Sequence, residues 1–94
     1  MARLNKAARG KHRWIGFSIT QLCTREELQR IIEPIFQDLE WRLFDVSANE
    51  IGTMAIVKVG LNDYKKATSL LNEADGISTI TSSGKIRLVR TRLE

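Results

Sequence analysis

An α+β sandwich is the fold class this sequence predicts: a four-stranded antiparallel sheet with two helices on one face, followed by a short C-terminal helix. Three observations predict it. Ile15, Phe17 and Ile19 alternate with Trp14, Gly16 and Ser18, and residues 53–59 alternate in the same way, which is the period-two signature of strands. Residues 24–39 and 62–74 instead repeat apolar side chains at helical spacing. The order of these segments is strand, helix, strand, strand, helix, strand, helix, and each has a single apolar face to hide. Two helices packed on one face of an antiparallel sheet hide those faces, as in ferredoxin-like and RRM-like βαββαβ sandwiches.

Residues 1–12 carry no apolar period and are expected to form a flexible basic arm, leaving 13–94 as one α/β sandwich domain. The first strand starts near Arg13. Thr24 opens the first helix, and its spacing to Glu27 is that of a capping box, in which each side chain satisfies an orphan backbone donor. Leu28, Ile31, Ile32, Ile35, Phe36 and Leu39 make its apolar stripe. Pro34 lacks an N–H and collides with the carbonyl four residues back, so a kink is expected there, with the stripe continuing past it. Trp41 to Ala48 forms a second strand, with Phe44 and Val46 on one face. Asn49-Glu50 turns the chain into the third strand, Thr53 to Val59, with Ala55, Val57 and Val59 on one face and Met54, Ile56 and Lys58 on the other. Asn62 or Asp63 caps the second helix, whose stripe is Tyr64, Ala67, Leu70, Leu71 and Ala74, and Gly76 closes it. Ile77 to Thr81 is the fourth strand. Ser82-Ser83-Gly84 interrupts the chain before a last helix with Ile86, Val89 and Leu93 on its seam.

The charge is segregated along this order. Residues 1–13 carry Arg3, Lys6, Arg9, Lys11 and Arg13 and no acid, and residues 85–94 carry Lys85, Arg87, Arg90 and Arg92 against Glu94 alone. The whole chain is only +4, so residues 14–84 are net acidic. Cations gathered at two ends of a scaffold of the opposite sign point to a polyanionic partner. A hydrophobic fraction of 43% with 28% charged residues is ordinary for a soluble domain. No apolar run is long enough to span a membrane, and none follows the basic N-terminus as a secretory signal requires. Cys23 is alone, which excludes an internal disulfide and suits a cytoplasmic location.

No catalytic constellation is present. His12 is the sole histidine, Cys23 is not at a ligand spacing from it, and the acids Glu26, Glu27, Glu33, Asp38 and Glu40 fall on the outer face of the first helix. No metal site or protein-bound cofactor is expected. Ser82-Ser83-Gly84-Lys85 is the one local anion candidate: a helix starting there has free N–H groups, two hydroxyls, and Lys85 and Arg87 nearby. The alternation also sends Trp14, Met54 and Ile56 to the sheet face away from the two helices. They are the candidate partner interface, part of which the last helix can cover with Ile86, Val89 and Leu93. The third strand has no aromatic residue, which disfavours base stacking on the sheet.

Three passages carry a family likeness. Arg13-Trp14-Ile15-Gly16-Phe17 is a basic-aromatic-aliphatic opening strand. Ala55-Ile56-Val57-Lys58-Val59 with Tyr64 to Leu71 is a hairpin strand and second helix. Ser83-Gly84-Lys85-Ile86-Arg87 is a serine-glycine segment before a basic helix. Over residues 11–93 the chain resembles protein component 2 of archaeal ribonuclease P, the family that includes the eukaryotic ribonuclease P/MRP small protein subunits. Lys85 stands where that family usually has threonine, and the stretch between the first helix and the hairpin is shorter than usual. The resemblance implies a non-catalytic RNA-binding subunit that assists a catalytic RNA, with its Mg2+ ions, in removing the 5′ leader of precursor tRNA. It also implies protein component 3 as partner, in a homodimer or hetero-oligomer. The candidate RNA contacts are Lys11, Arg13, Ser83, Gly84, Lys85, Arg87 and Arg90, with Arg3, Lys6 and Arg9 secondary. Two other readings compete: an ACT-like regulatory ligand-binding domain, which has the same strand and helix order, and another ribosome- or translation-associated RNA-binding protein.

Overall fold

The computed structural model describes residues 11–93. The elements are β1 (His12–Ile19), α1 (Arg25–Phe36), β2 (Trp41–Ala48), β3 (Thr53–Gly60), a 3-10 turn (Leu61–Asp63), α2 (Tyr64–Glu73), β4 (Ile77–Ser83) and α3 (Ile86–Leu93). The sheet order is β2-β3-β1-β4, with β1 antiparallel to both β3 and β4, and β2 antiparallel to β3. This is the ferredoxin-like βαββαβ arrangement with an extra C-terminal helix. The first strand begins at His12, and Lys11 is already tied down, its carbonyl accepting from the Leu61 N–H at 3.1 Å. Residues 11 and 12 therefore belong to the fold rather than to the expected arm, whose remainder, residues 1–10, lies outside the described residues.

The core lies between one sheet face and α1 and α2. Ile15, Phe17, Ile19, Leu43, Ala55, Val57 and Val59 meet Leu28, Ile32, Phe36, Ala67 and Leu71, all of them buried. Each large member contributes about 1.5–3 kcal/mol relative to leaving it in water. Thr24 caps α1 as a full capping box, with Glu27 N–H donating to its hydroxyl at 3.2 Å and Glu27 Oε1 accepting from its N–H at 2.9 Å. Pro34 lies inside α1, which nevertheless ends at Phe36, because Gln37 turns to φ +52° and donates its N–H to Glu33. Leu39 thus packs on the core from the following turn rather than from the helix. Neither Asn62 nor Asp63 caps α2 through its side chain; the 3-10 turn leads straight into it.

Two departures come from backbone irregularities. Asp45 has φ +53° where the β2–β3 register shifts, between Phe44 and Ser47. A one-residue bulge reverses side-chain parity. Phe44 consequently packs edge-on against Trp14, ring centroids 5.1 Å apart, on the face away from α1 and α2, while Val46 packs on the core. The two do not share a face. Ser82 and Ser83 do not interrupt β4; they extend it by pairing with Ile15 and Trp14.

At the β2–β3 turn, Asn49 Oδ1 accepts from the N–H groups of Ile51 and Gly52, each at 3.0 Å. A Cβ on Gly52 would lie 2.2 Å from the Ile19 carbonyl oxygen, so only glycine fits the approach of this turn to the end of β1. The Thr53 hydroxyl closes the same end, donating to the Gln21 carbonyl at 2.8 Å and accepting from the Cys23 N–H at 2.9 Å. Both sheet edges are occupied by side chains. The Arg25 guanidinium donates to the Leu43 carbonyl of β2, and Asn72 Oδ1 accepts from the Thr79 N–H of β4. Such contacts blunt an edge against strand addition.

The last helix lies on the second sheet face. A Cβ on Gly16 would stand 3.0 Å from both Val89 and Leu93, so the absence of a side chain there lets α3 sit close to β1. Val89 is completely buried, Arg90 reaches Asp45 on β2, and Arg92 donates to the Thr81 hydroxyl and the Ser82 carbonyl of β4. Ile56, opposite Gly16 and Phe44 in the strand register, has no exposed surface.

Candidate nucleic-acid interface

Antiparallel pairing brings the two basic chain segments to one end of the sheet. β1 begins where β4 ends, with Trp14 opposite Ser83. β3 ends and β2 begins at this same end, with His12 opposite Gly60 and Trp41 opposite Val59. Lys11 just before β1, His12 and Arg13 from β1, Arg42 from β2, Lys58 from β3 and Lys85 after β4 are therefore gathered around four strand termini. The exposed Lys65 and Lys66 open α2 at this end. The acids here are Asp38, Glu40 and Asp63.

The expected RNA contacts have different fates in the fold. Lys11, Lys85 and Arg87 are exposed and have no carboxylate within ion-pair distance among the described residues. Arg13 projects to the α2 side, its guanidinium carbon 5.2 Å from the centre of the Tyr64 ring, a cation–π contact that leaves its charge unneutralised. Arg90 is committed elsewhere: its Nε lies 2.5 Å from Asp45 Oδ2 and its Nη2 3.2 Å from Oδ1. That bidentate pair links α3 to β2 and offsets the Arg90 charge, although the Arg90 side chain is still 51% exposed. The serine hydroxyls are also occupied. Ser83 Oγ accepts from the Lys85 N–H at 3.1 Å, and Ser82 Oγ lies 2.8 Å from the Tyr64 hydroxyl. The anion reading of Ser82-Ser83-Gly84-Lys85 thus loses the Lys85 N–H, has Ser83 buried and Ser82 paired with Tyr64, and keeps the Lys85 charge. Gly84 is exposed, with no atom within 4 Å of where its Cβ would be.

Of the three residues assigned to a partner interface, Ile56 is buried within this chain and has no surface to offer. Trp14 and Met54 stay half-exposed. The Lys58 ammonium lies 5.3 Å over the Trp14 ring.

A groove of about 690 Å³ opens at the cationic end, lined by Lys11, His12, Arg42 and Lys58, by Leu39, Trp41 and Leu61, and by Glu40 and Asp63. Burial lowers the His12 pKa from 6.5, the Lys58 ammonium lowers it further, and Glu40 opposes both. Arg42 and Lys58 are direct cross-strand partners. Neither stood out in the sequence, because they are 16 positions apart in a net acidic stretch. The signal available was the hairpin itself: its register places an arginine against a lysine. Cys23 is buried, and that burial raises its thiol pKa, as fits a packing residue. Among the described residues no cluster of three or more His, Cys, Asp or Glu side chains is placed to hold a metal ion, and no helix is long and apolar enough to cross a membrane.

No protein-family model, curated protein or solved structure matches the chain. The geometry of this end of the sheet therefore bears the functional reading.

Proposed function

We propose that the chain is a non-catalytic, cytoplasmic RNA-binding subunit of ribonuclease P, in which a catalytic RNA carrying Mg2+ removes the 5′ leader from precursor tRNA. One observation carries the RNA-binding part: Lys11, Arg13, Arg42, Lys58 and Lys85, distant in sequence, converge on one end of a sheet whose other parts are neutral or acidic. Lysine and arginine placed so neutralise phosphates and release counterions, giving affinity with little choice of sequence. The resemblance of residues 13–17, 55–59 with 64–71, and 83–87 to the archaeal protein component 2 family supports the more specific assignment. Protein component 3 is the partner that this assignment brings. Dense phosphates near a catalytic RNA core repel one another, and a cationic protein end set among them lowers the Mg2+ needed for folding.

Reconstitution tests this reading. Adding the chain, with and without protein component 3, to ribonuclease P RNA should lower the Mg2+ concentration at which precursor tRNA is cleaved. Unchanged Mg2+ dependence in both mixtures contradicts the ribonuclease P assignment. Absence of binding to any structured RNA at low salt contradicts RNA binding altogether.

A further inference from the structure

We propose that the groove at the cationic end is a single-nucleotide site, taking one nucleoside phosphate unit of a single-stranded RNA segment. Its phosphate would lie against Arg42, Lys58 and His12, and its ribose and base against Leu39, Trp41 and Leu61. The inference deepens the RNA-binding reading and rests on it for the identity of the occupant. The chemistry of the site stands on the groove alone.

Three features point to a phosphate ester. Arg42 and Lys58 face each other directly across the β2–β3 pair, an arrangement that disfavours the folded sheet unless an anion joins them. Lys11 and His12 line the same groove. Glu40 and Asp63 also line the groove, and Glu40 lies near enough to His12 to oppose the lowering of its pKa, yet neither forms an ion pair; the single ion pair among the described residues is Arg90–Asp45. Lys11, Arg42 and Lys58 thus bring positive charge into a concave place, set against Glu40 and Asp63 with no ion pair formed, where low-dielectric sides strengthen attraction for an anion.

The apolar part of the lining sets the size and class of the ligand. Leu39 and Trp41 are half-buried and Leu61 is 42% exposed, so apolar surface lines the same groove as the cations. Trp41 is held edge-on against Phe36, centroids 5.7 Å apart, which fixes its ring. A volume of about 690 Å³ is far more than inorganic phosphate fills and falls in the range of small-molecule clefts. A nucleotide has both parts the lining asks for, a dianionic or diester phosphate and a flat apolar ring. A base in a duplex is stacked and paired, so a single-stranded or extruded nucleotide is the fitting form.

The test follows His12 and Trp41 side-chain resonances of the full chain while adenosine monophosphate, adenosine, inorganic phosphate, a short single-stranded RNA and a duplex RNA are added in turn. Adenosine monophosphate and single-stranded RNA should shift both residues, phosphate His12 alone, and duplex RNA should leave Trp41 in place. The double variant Arg42→Gln/Lys58→Gln should lose the nucleotide response, whereas Glu50→Gln/Asp75→Asn, at the opposite end of the sheet, should keep it; backbone amide spectra confirm that both are folded. Silence of both reporters toward adenosine monophosphate, or an undiminished response in Arg42→Gln/Lys58→Gln, overturns the proposal. If the chain binds structured RNA while the groove stays silent, the site fails and the RNA reading survives. If the groove takes the free nucleotide and the chain ignores every RNA, the site survives as a nucleotide site and the RNA reading fails.

Discussion

The two ends of the sheet are built to different purposes. At one, around Gly52 and Thr53, polar groups are used up locally: Asn49 closes its own turn, Thr53 ties together Gln21 and Cys23, and the Thr20 N–H donates to the Gly76 carbonyl. The charged residues there include Glu50, Glu73 and Asp75. At the other end Lys11, Arg42, Lys58 and Lys85 lie at the strand termini with no carboxylate in ion-pair contact among the described residues. Closed hydrogen-bond sets make a fold, whereas unpaired like charges lower its stability and are the usual mark of a binding surface. The difference teaches where to look for function in a chain whose composition is unremarkable.

Substitutions at the two ends should therefore separate binding from stability. The largest effect is expected from Arg42, Lys58, Lys85 and Arg87 changed together to Gln. Counterion release is worth roughly a factor of ten per phosphate contact near 0.1 M salt, so removing four cations should lower RNA affinity by about four orders of magnitude, read by filter binding, with thermal stability undiminished. At the opposite end Gly52→Ala forces a Cβ into the Ile19 carbonyl and should destabilise the fold by about 3 kcal/mol in denaturant titration, while RNA affinity per folded molecule stays the same. Thr24→Ala removes the capping box of α1 and should cost about 1 kcal/mol, again without effect on binding. Arg42→Gln relieves the repulsion facing Lys58 and should raise stability by about 0.5 kcal/mol while weakening binding, opposite signs from one change.

Protonation of His12 offers a smaller test in the same direction. Its folded pKa is below 6.5, so its contribution to stability is present above pH 6.5 and is lost as the pH falls through the folded value. Binding to RNA phosphates, which stay charged over this range, should instead tighten on acidification. His12→Gln should flatten both profiles.

Much of the fold was legible because local chemistry and period agreed. Thr24 with Glu27 announced the capping box, and the Leu28–Ile32–Phe36 stripe and the alternation of β1 and β3 assigned the core. What escaped had no local signature. Asp45 adopts a left-handed conformation, and the resulting bulge, not any pattern in Trp41 to Ala48, puts Phe44 and Val46 on opposite faces. Ser82 and Ser83 resemble a break in composition, but pairing with β1 and the Tyr64 hydroxyl holds them in β4. The candidate site was half visible. Basic chain termini marked Lys11, Arg13, Lys85 and Arg87, while Arg42 and Lys58 joined them only once the hairpin was folded against β1. The same folding paired Arg90 with Asp45 and buried Ile56.

The most direct test compares the salt dependence of RNA affinity for the unaltered chain, for the variant with Arg42, Lys58, Lys85 and Arg87 changed to Gln, and for a control with Glu50→Gln and Asp75→Asn at the opposite end. The cationic-end variant should lose about 3–4 from the slope of log affinity against log salt, close to 0.9 for each phosphate contact removed, and the control should retain the slope of the unaltered chain. An equal slope for all three proteins would contradict the assignment of the RNA surface to this end of the sheet.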